Sequence, residues 1–412
     1  IAVLVIDNPP VNALSRGVRD GLCEGIERAE ADAGVEATVI VCRGRTFIAG
    51  ADIREFGKPR EGGNPTASIE AASKPLIAAT HGTVLGGGLE LAMACHFRVA
   101  LASTRFGLPE VLLGILPGGG GTQRLPRIVG VEKALQMITS GDRIGADEAL
   151  ASGLIDEIVE GDLQAAGVAF AEKVLAESRP LQKIRDRNEK IETAKGKPEL
   201  FANFRKSIAR RTRGFEAPEY CVQAVEAAVH LPFDEGIQKE RELFVKAVTS
   251  EQSVAQRYYF FAERQANKVP DVPPDTPQIE VRKVGMLGAG TMGGGIAMNF
   301  ANAGIPVTLV EVKQEALDRG LGIVRKNYER TASRGRITQQ DVEDRMALLS
   351  GSLDMEAFAD CDLVIEAVFE NMELKKKVFA ELDRICKPDA ILALPMPFVT
   401  VFAAWLAARL RR

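Results

Sequence analysis

Two glutamates, each framed by glycines, carry the densest chemical signal in this 412-residue chain. Glu90 closes the run His81-Gly-Thr-Val-Leu-Gly-Gly-Gly-Leu-Glu90. Glu110 closes Phe106-Gly-Leu-Pro-Glu110, which leads into Pro117-Gly-Gly-Gly-Gly-Thr-Gln-Arg124. Paired carboxylates can divide a proton-transfer task, one giving a proton while the other takes one. Glycine lets the backbone approach a ligand closely, and the first N–H groups of a helix carry partial positive charge. Gly86-Gly87-Gly88 running into the helical Leu89-Glu-Leu-Ala-Met93 therefore offers a donor to an oxygen that gains negative charge during a reaction.

A second constellation follows far downstream. Gly288-Ala-Gly290-Thr-Met-Gly293 lies between an apolar run, Lys283-Val-Gly-Met-Leu287, and a helical stretch. In a strand–turn–helix context the first glycine permits the tight turn, the second lets a pyrophosphate approach, and the third lets the helix pack on the strand. Glu311, 18 residues beyond Gly293, ends the next apolar run, Val307-Thr-Leu-Val310. A carboxylate there accepts from a ribose 2′-hydroxyl and repels a 2′-phosphate, so NAD is expected over NADP.

These residues need a scaffold, and the chain supplies signals for one. Residues 1–175 alternate short apolar runs with amphipathic stretches. Val39–Cys42, Leu76–Ala79 and Phe97–Ala100 read as strands, and Val18–Ala31 and Val131–Thr139 as helices. Residues 176–278 lose the strand signal. They read as a charged helical segment ending in the linker Pro270-Asp-Val-Pro-Pro-Asp-Thr-Pro277. Residues 279–393 return to strands alternating with helices, with Asp362–Glu366 and Ala390–Ala393 as further strands. The expected fold class is an α/β multidomain chain.

Composition narrows the chemistry. A net charge of −4 gives no reason to expect nucleic acid or an anionic membrane as partner. Six scattered cysteines form no CxxC, and only three histidines exist, so no metal site is expected. The thiols read as reduced, and the expected compartment is cytoplasmic.

With the frame Phe47-Ile-Ala-Gly-Ala-Asp-Ile53 added, the first constellation resembles the site of the crotonase (enoyl-CoA hydratase/isomerase) family. The resemblance implies a ββα spiral fold and an acyl-CoA thioester substrate. It implies Ala51 and Gly87 as oxyanion-hole donors, with Glu90 and Glu110 as the catalytic carboxylates. Both glutamates together favour hydration, with Δ3-to-Δ2 isomerisation open to the same pair. His81 and His96 are given no hydratase role. Residues 284–393 resemble the NAD-binding, Rossmann-type half of 3-hydroxyacyl-CoA dehydrogenases, carried by Gly288–Gly295 and Asp362-Leu-Val-Ile-Glu-Ala-Val-Phe-Glu-Asn371. That likeness implies Gly288, Gly290, Met292, Gly293, Glu311, Glu370 and Lys375 at the cofactor. The order of parts resembles the multifunctional β-oxidation enzymes.

Beyond residue 393 the resemblance stops. Where the family carries its active-site serine this chain has Pro397, and residues 394–412 look like a shifted reading frame or other truncating event. Dehydrogenase turnover is therefore expected to be absent. A membrane helix over Ile391–Leu410 is disfavoured by Pro395 and Pro397. Two rival readings stay open: an isomerase-dominated crotonase, and a non-catalytic remnant that binds acyl-CoA or NAD. Oligomeric state, acyl-chain length and stereochemistry are not readable.

Overall fold

The computed structural model describes residues 1–57, 61–181, 183–266, 270–273, 275–277, 279–368 and 371–394. The chain divides into two compact units, Ile1–Val269 and Pro270–Arg412.

In the first unit eight strands are β1 (Ala2–Ile6), β2 (Thr38–Cys42), β3 (Leu76–Thr80), β4 (Thr83–Leu85), β5 (Phe97–Leu101), β6 (Arg105–Gly107), β7 (Ile144–Gly145) and β8 (Glu157–Val159). A five-stranded parallel sheet runs β1-β2-β3-β5-β8. β2 and β3 are buried along their whole length, which is why they read as unbroken apolar runs rather than alternating ones. One face, with Val39, Ile77 and Val99, packs on Phe170 and Val174 of helix Leu163–Ala176. The other, with Ile40, Leu76 and Ala78, joins the main core around Leu89 and Leu91. β4, β6 and β7 make a second, smaller sheet. Twice the chain passes from large sheet to small sheet to a helical turn. β3 and β4 precede helix Gly87–Ala94, and β5 and β6 precede the 3₁₀ turn Pro109–Leu113. This is the expected ββα pattern, and each glutamate follows a small-sheet strand.

The helical segment beginning near residue 176 is not set apart. Its helices through Glu251–Ala266 are part of the first unit. Helix Ala217–His230 is buried from Ala217 to Val229 apart from three half-buried positions, and packs on helices Gly121–Val129 and Val131–Ser140. Much of the segment's charge lies on the exposed faces of neighbouring helices, with Glu240 as a buried exception.

The second unit holds β9 (Val284–Leu287), β10 (Val307–Val310), β11 (Leu349–Ser352), β12 (Leu363–Glu366) and β13 (Ile391–Ala393). They form one parallel sheet, ordered β11-β10-β9-β12-β13. This is the Rossmann-type order, which reverses direction between β9 and β12. Ligands of such sheets bind outside the carboxyl ends of the strands at that reversal. Separate apolar clusters cover its faces, one around Met286 and Leu309 and one around Phe358 and Leu382. The expected tail falls outside the described residues from 395 onward. Among the described residues no helix is long and apolar enough to cross a membrane, and no cluster of metal-ligating side chains occurs.

Candidate functional site

The first site is built on helix Gly87–Ala94. The residue before it, Gly86, has φ +53°, a conformation that suits glycine. A Cβ there would lie 2.7 Å from Glu110 Oε1. At Gly88 a Cβ would lie 2.3 Å from the Ile48 carbonyl oxygen, so the helix start rests directly on the backbone of residues 48–51. That contact brings Gly87 close to Ala51, since a Cβ on Gly87 would lie 3.4 Å from Ala51 N. Ala51 is fixed from its other side, where the backbone bridges to Leu14 and Leu14 N donates to Gly50 O at 2.9 Å. Among the described residues neither the Gly87 nor the Ala51 N–H finds an acceptor.

Both glutamates are buried beside this pair. Glu90 Oε1 accepts from Gly119 N at 2.7 Å and Gly121 N at 2.8 Å. Glu110 sits in the 3₁₀ turn Pro109–Leu113, and its Oε2 has no hydrogen-bond partner among the described residues. Burial first, then the charges of Glu90 and Glu240, hold its carboxyl well above the usual range. A carboxyl in that state can give a proton at neutral pH.

Glu240 is a third buried carboxylate, 1% exposed, and sequence reasoning passed over it. It comes from helix Phe233–Val248 and accepts from Gly120 N at 2.7 Å, Thr122 N at 3.1 Å and Thr122 Oγ1 at 2.5 Å. Burial and the Glu90 charge push it up to about 8. One sequence signal existed: Gly236, Glu240, Leu243 and Ala247 share the buried stripe of that helix, where a glutamate is out of place.

The histidines are tied into the scaffold. Leu76 N donates to His96 Nδ1 at 3.1 Å, and burial, with the Lys183 and Arg98 charges, lowers this imidazole to about 4. His81 Nε2 lies 3.0 Å from Gly44 O.

In the second unit the turn after β9 behaves as its glycines require. Gly288 has φ +100°, and a Cβ there would meet Ala367 O, just past β12, at 2.7 Å. At Gly293 a Cβ would meet Gly288 O at 1.9 Å, so helix Thr291–Asn302 lies against the turn itself. Gly290 differs, since a Cβ there meets nothing within 4 Å. Glu311 follows β10 and reaches over the turn, accepting from Ala289 N at 2.8 Å and Val312 N at 3.2 Å. Met292 is exposed beside it. Lys375 is buried, with Nζ 3.1 Å from Glu366 Oε2 at the end of β12. Glu370 lies outside the described residues.

Known families match along the same division. The model described as enoyl-CoA hydratase/isomerase covers residues 1–190, and the one described as 3-hydroxyacyl-CoA dehydrogenase, NAD binding domain, covers residues 283–394. Residues 1–190 are thus similar to the first family and residues 283–394 to the second. Among curated relatives, a peroxisomal bifunctional enzyme of Cavia porcellus is 41% identical over 408 residues, covering 95% of this chain and 55% of that protein. One of the same name from Danio rerio is 42% identical over 399 residues, covering 95% and 54%. The peroxisomal fatty acid beta-oxidation multifunctional protein MFP2 of Arabidopsis thaliana is 36% identical over 408 residues, covering 95% and 56%. The chain thus spans about half the length of these relatives. The hydratase/isomerase match ends at residue 190, before the helix that carries Glu240. The third carboxylate therefore comes from sequence outside the matched part of the hydratase/isomerase domain.

Proposed function

We propose that the first unit hydrates trans-2-enoyl-CoA thioesters to 3-hydroxyacyl-CoA. The observation that carries this is the pair of unclaimed amides, Ala51 N–H and Gly87 N–H, beside two buried glutamates. A thioester oxygen held between those amides gains negative charge as water adds to the β-carbon, and donors already aimed at it need no reorganisation. Glu90, steadied as an acceptor by Gly119 and Gly121, takes a proton from the water as its oxygen bonds to the β-carbon. Glu110, kept protonated by its surroundings, delivers a proton to the α-carbon. One water is consumed, one C–O and one C–H bond form, and the C=C bond becomes single. The same pair can move a proton between the α- and γ-carbons, so Δ3–Δ2 isomerisation is proposed as a side activity. Rates on crotonyl-CoA and on a 3-enoyl-CoA test the assignment. Hydration should be the faster, and isomerisation without hydration would replace this reading by an isomerase.

For the second unit we propose NAD binding. The open space at Gly290 fits an approaching pyrophosphate, and Gly288 and Gly293 shape the turn. Glu311 is proposed to accept from the ribose hydroxyls, with Met292 and Lys375 at the margins of the site. When bound, NAD supplies a hydride acceptor for a 3-hydroxyacyl-CoA. The histidines of this chain are His81, His96 and His230, and residues 270–412 contain none. The second unit therefore supplies the proposed cofactor site without an imidazole base among residues 270–412. The relatives' names place those proteins in peroxisomes. For this chain we propose a reducing, cytosol-like compartment, on six free cysteines, several with thiols pushed up by burial.

A further inference from the structure

Four successive amides at the Gly-rich turn are shared between two carboxylates from different parts of the chain. Gly119 N and Gly121 N donate to Glu90, while Gly120 N and Thr122 N donate to Glu240. The alternation explains why the turn is glycine. A Cβ on Gly119 would lie 2.7 Å from Glu90 Oε2, one on Gly121 would lie 2.8 Å from Glu90 Oε1, and Gly120 has φ +94°. The turn is thus clamped from both sides, with the Thr122 hydroxyl as its one side-chain contact to either carboxylate.

We infer that Glu240 is a positioning residue for Glu90: it fixes the turn whose alternate amides orient the catalytic carboxylate. This rests on the hydratase reading given above.

Glu240 is itself rigidly placed. Its helix begins at Phe233, whose ring lies under three guanidinium groups, those of Arg124 at 5.3 Å, Arg127 at 5.1 Å and Arg185 at 4.7 Å. Asp234 pairs with Arg185 at 2.7 Å. One turn along, a Cβ on Gly236 would lie 2.2 Å from Gln123 Oε1, so helix Phe233–Val248 lies close against helix Gly121–Val129. Arg124 Nη1 also donates to Gly119 O at 2.9 Å while its Nη2 pairs with Glu70. A helix locked at one end thus presents, when Glu240 is ionised, an acceptor with two oxygens to three donors. A glutamine cannot satisfy them, because its NH₂ would face a backbone N–H or lose the Thr122 pair. With the turn loosened, Glu90 samples more orientations, and misplacement by about 1 Å costs on the order of 10²-fold in rate.

The test compares the full chain with Glu240→Gln on crotonyl-CoA, alongside residue-level amide exchange read by NMR. The expected result is a kcat lower by about 10- to 100-fold with KM within about twofold. Exchange should quicken at Gly119 and Gly121, which touch Glu90, as well as at Gly120 and Thr122. If only Gly120 and Thr122 quicken and kcat is unchanged, Glu240 is a helix cap and the inference is overturned. Should Glu240→Gln fail to fold by circular dichroism, Thr122→Val, which removes the hydroxyl and its bonds to Glu240 and Gln123 but keeps the backbone amide, carries the same test with a smaller expected fall in kcat at constant KM. If the unaltered chain hydrates no enoyl-CoA, the hydratase reading fails, while the exchange at Gly119 and Gly121 still decides the role of Glu240.

Discussion

Glu110 shows what a reactive carboxyl costs its fold. Its proton is held by burial and by two neighbouring carboxylates, so the folded state keeps it to a higher pH than the unfolded chain does. Below the ordinary carboxyl range both states are protonated and no stability is lost. As pH rises, the unfolded chain releases its proton first, and stability falls until the folded group also titrates. Glu110→Gln has no proton to release. Its melting temperature should therefore exceed that of the parent chain by more at about pH 8 than at about pH 5, each kcal/mol relieved raising it by about 2–4 °C. A gap independent of pH, measured by calorimetry in matched buffers, would contradict the electrostatic account of this site. At this scale legibility depended on neighbours. Glu90 and Glu110 stand in glycine frames that a solvated glutamate does not need. Glu240 stands in Gln238-Lys-Glu-Arg-Glu-Leu243, which has the look of a water-facing surface, and its partners lie some 120 residues away.

Elements were legible where a strand was buried on both faces or a glycine was forced. Four strands of the Rossmann-type sheet fall within a residue of their expected limits, helped by the complete burial of Val284–Leu287 and Val307–Val310, while the edge strand Leu349–Ser352, exposed at its two central residues, was not expected. The helices from Ala217 onward were legible as helices but not as part of the first unit. Their buried partners are remote in sequence, and periodicity alone does not say what a helix packs on. Glycines separate shape from ligand in the second unit. Gly293→Ala should destabilise it, since the methyl would fall 1.9 Å from Gly288 O. Gly290→Ala should fold normally, because its methyl meets only open space, yet it should weaken NADH binding at least tenfold by occupying room meant for the pyrophosphate. Circular dichroism melts with titration calorimetry on both variants check the pair. Unchanged affinity in Gly290→Ala would move the cofactor elsewhere.

For the whole molecule, two units with separate apolar clusters match two families whose reactions meet in substrate class, since the product of an enoyl-CoA hydratase is what a 3-hydroxyacyl-CoA dehydrogenase oxidises. A ligand that binds one folded unit stabilises that unit by mass action, by about 2.7 kcal/mol at 100 times its Kd. NADH should therefore raise the melting of residues 270–412, and NADPH should do so less, because Glu311 opposes a 2′-phosphate. A larger shift with NADPH would overturn the role of Glu311. The central claim, that Glu90 and Glu110 act as one proton-transfer unit beside the Ala51 and Gly87 amides, is tested most directly by the hydration rate of crotonyl-CoA. The measurement needs the parent chain, Glu90→Gln, Glu110→Gln and the double variant. Each single change should lower kcat by roughly 10²–10⁴-fold with KM nearly unchanged, and the double variant should be little worse than either. Retention of most activity by Glu110→Gln, or losses that multiply in the double variant, would contradict it.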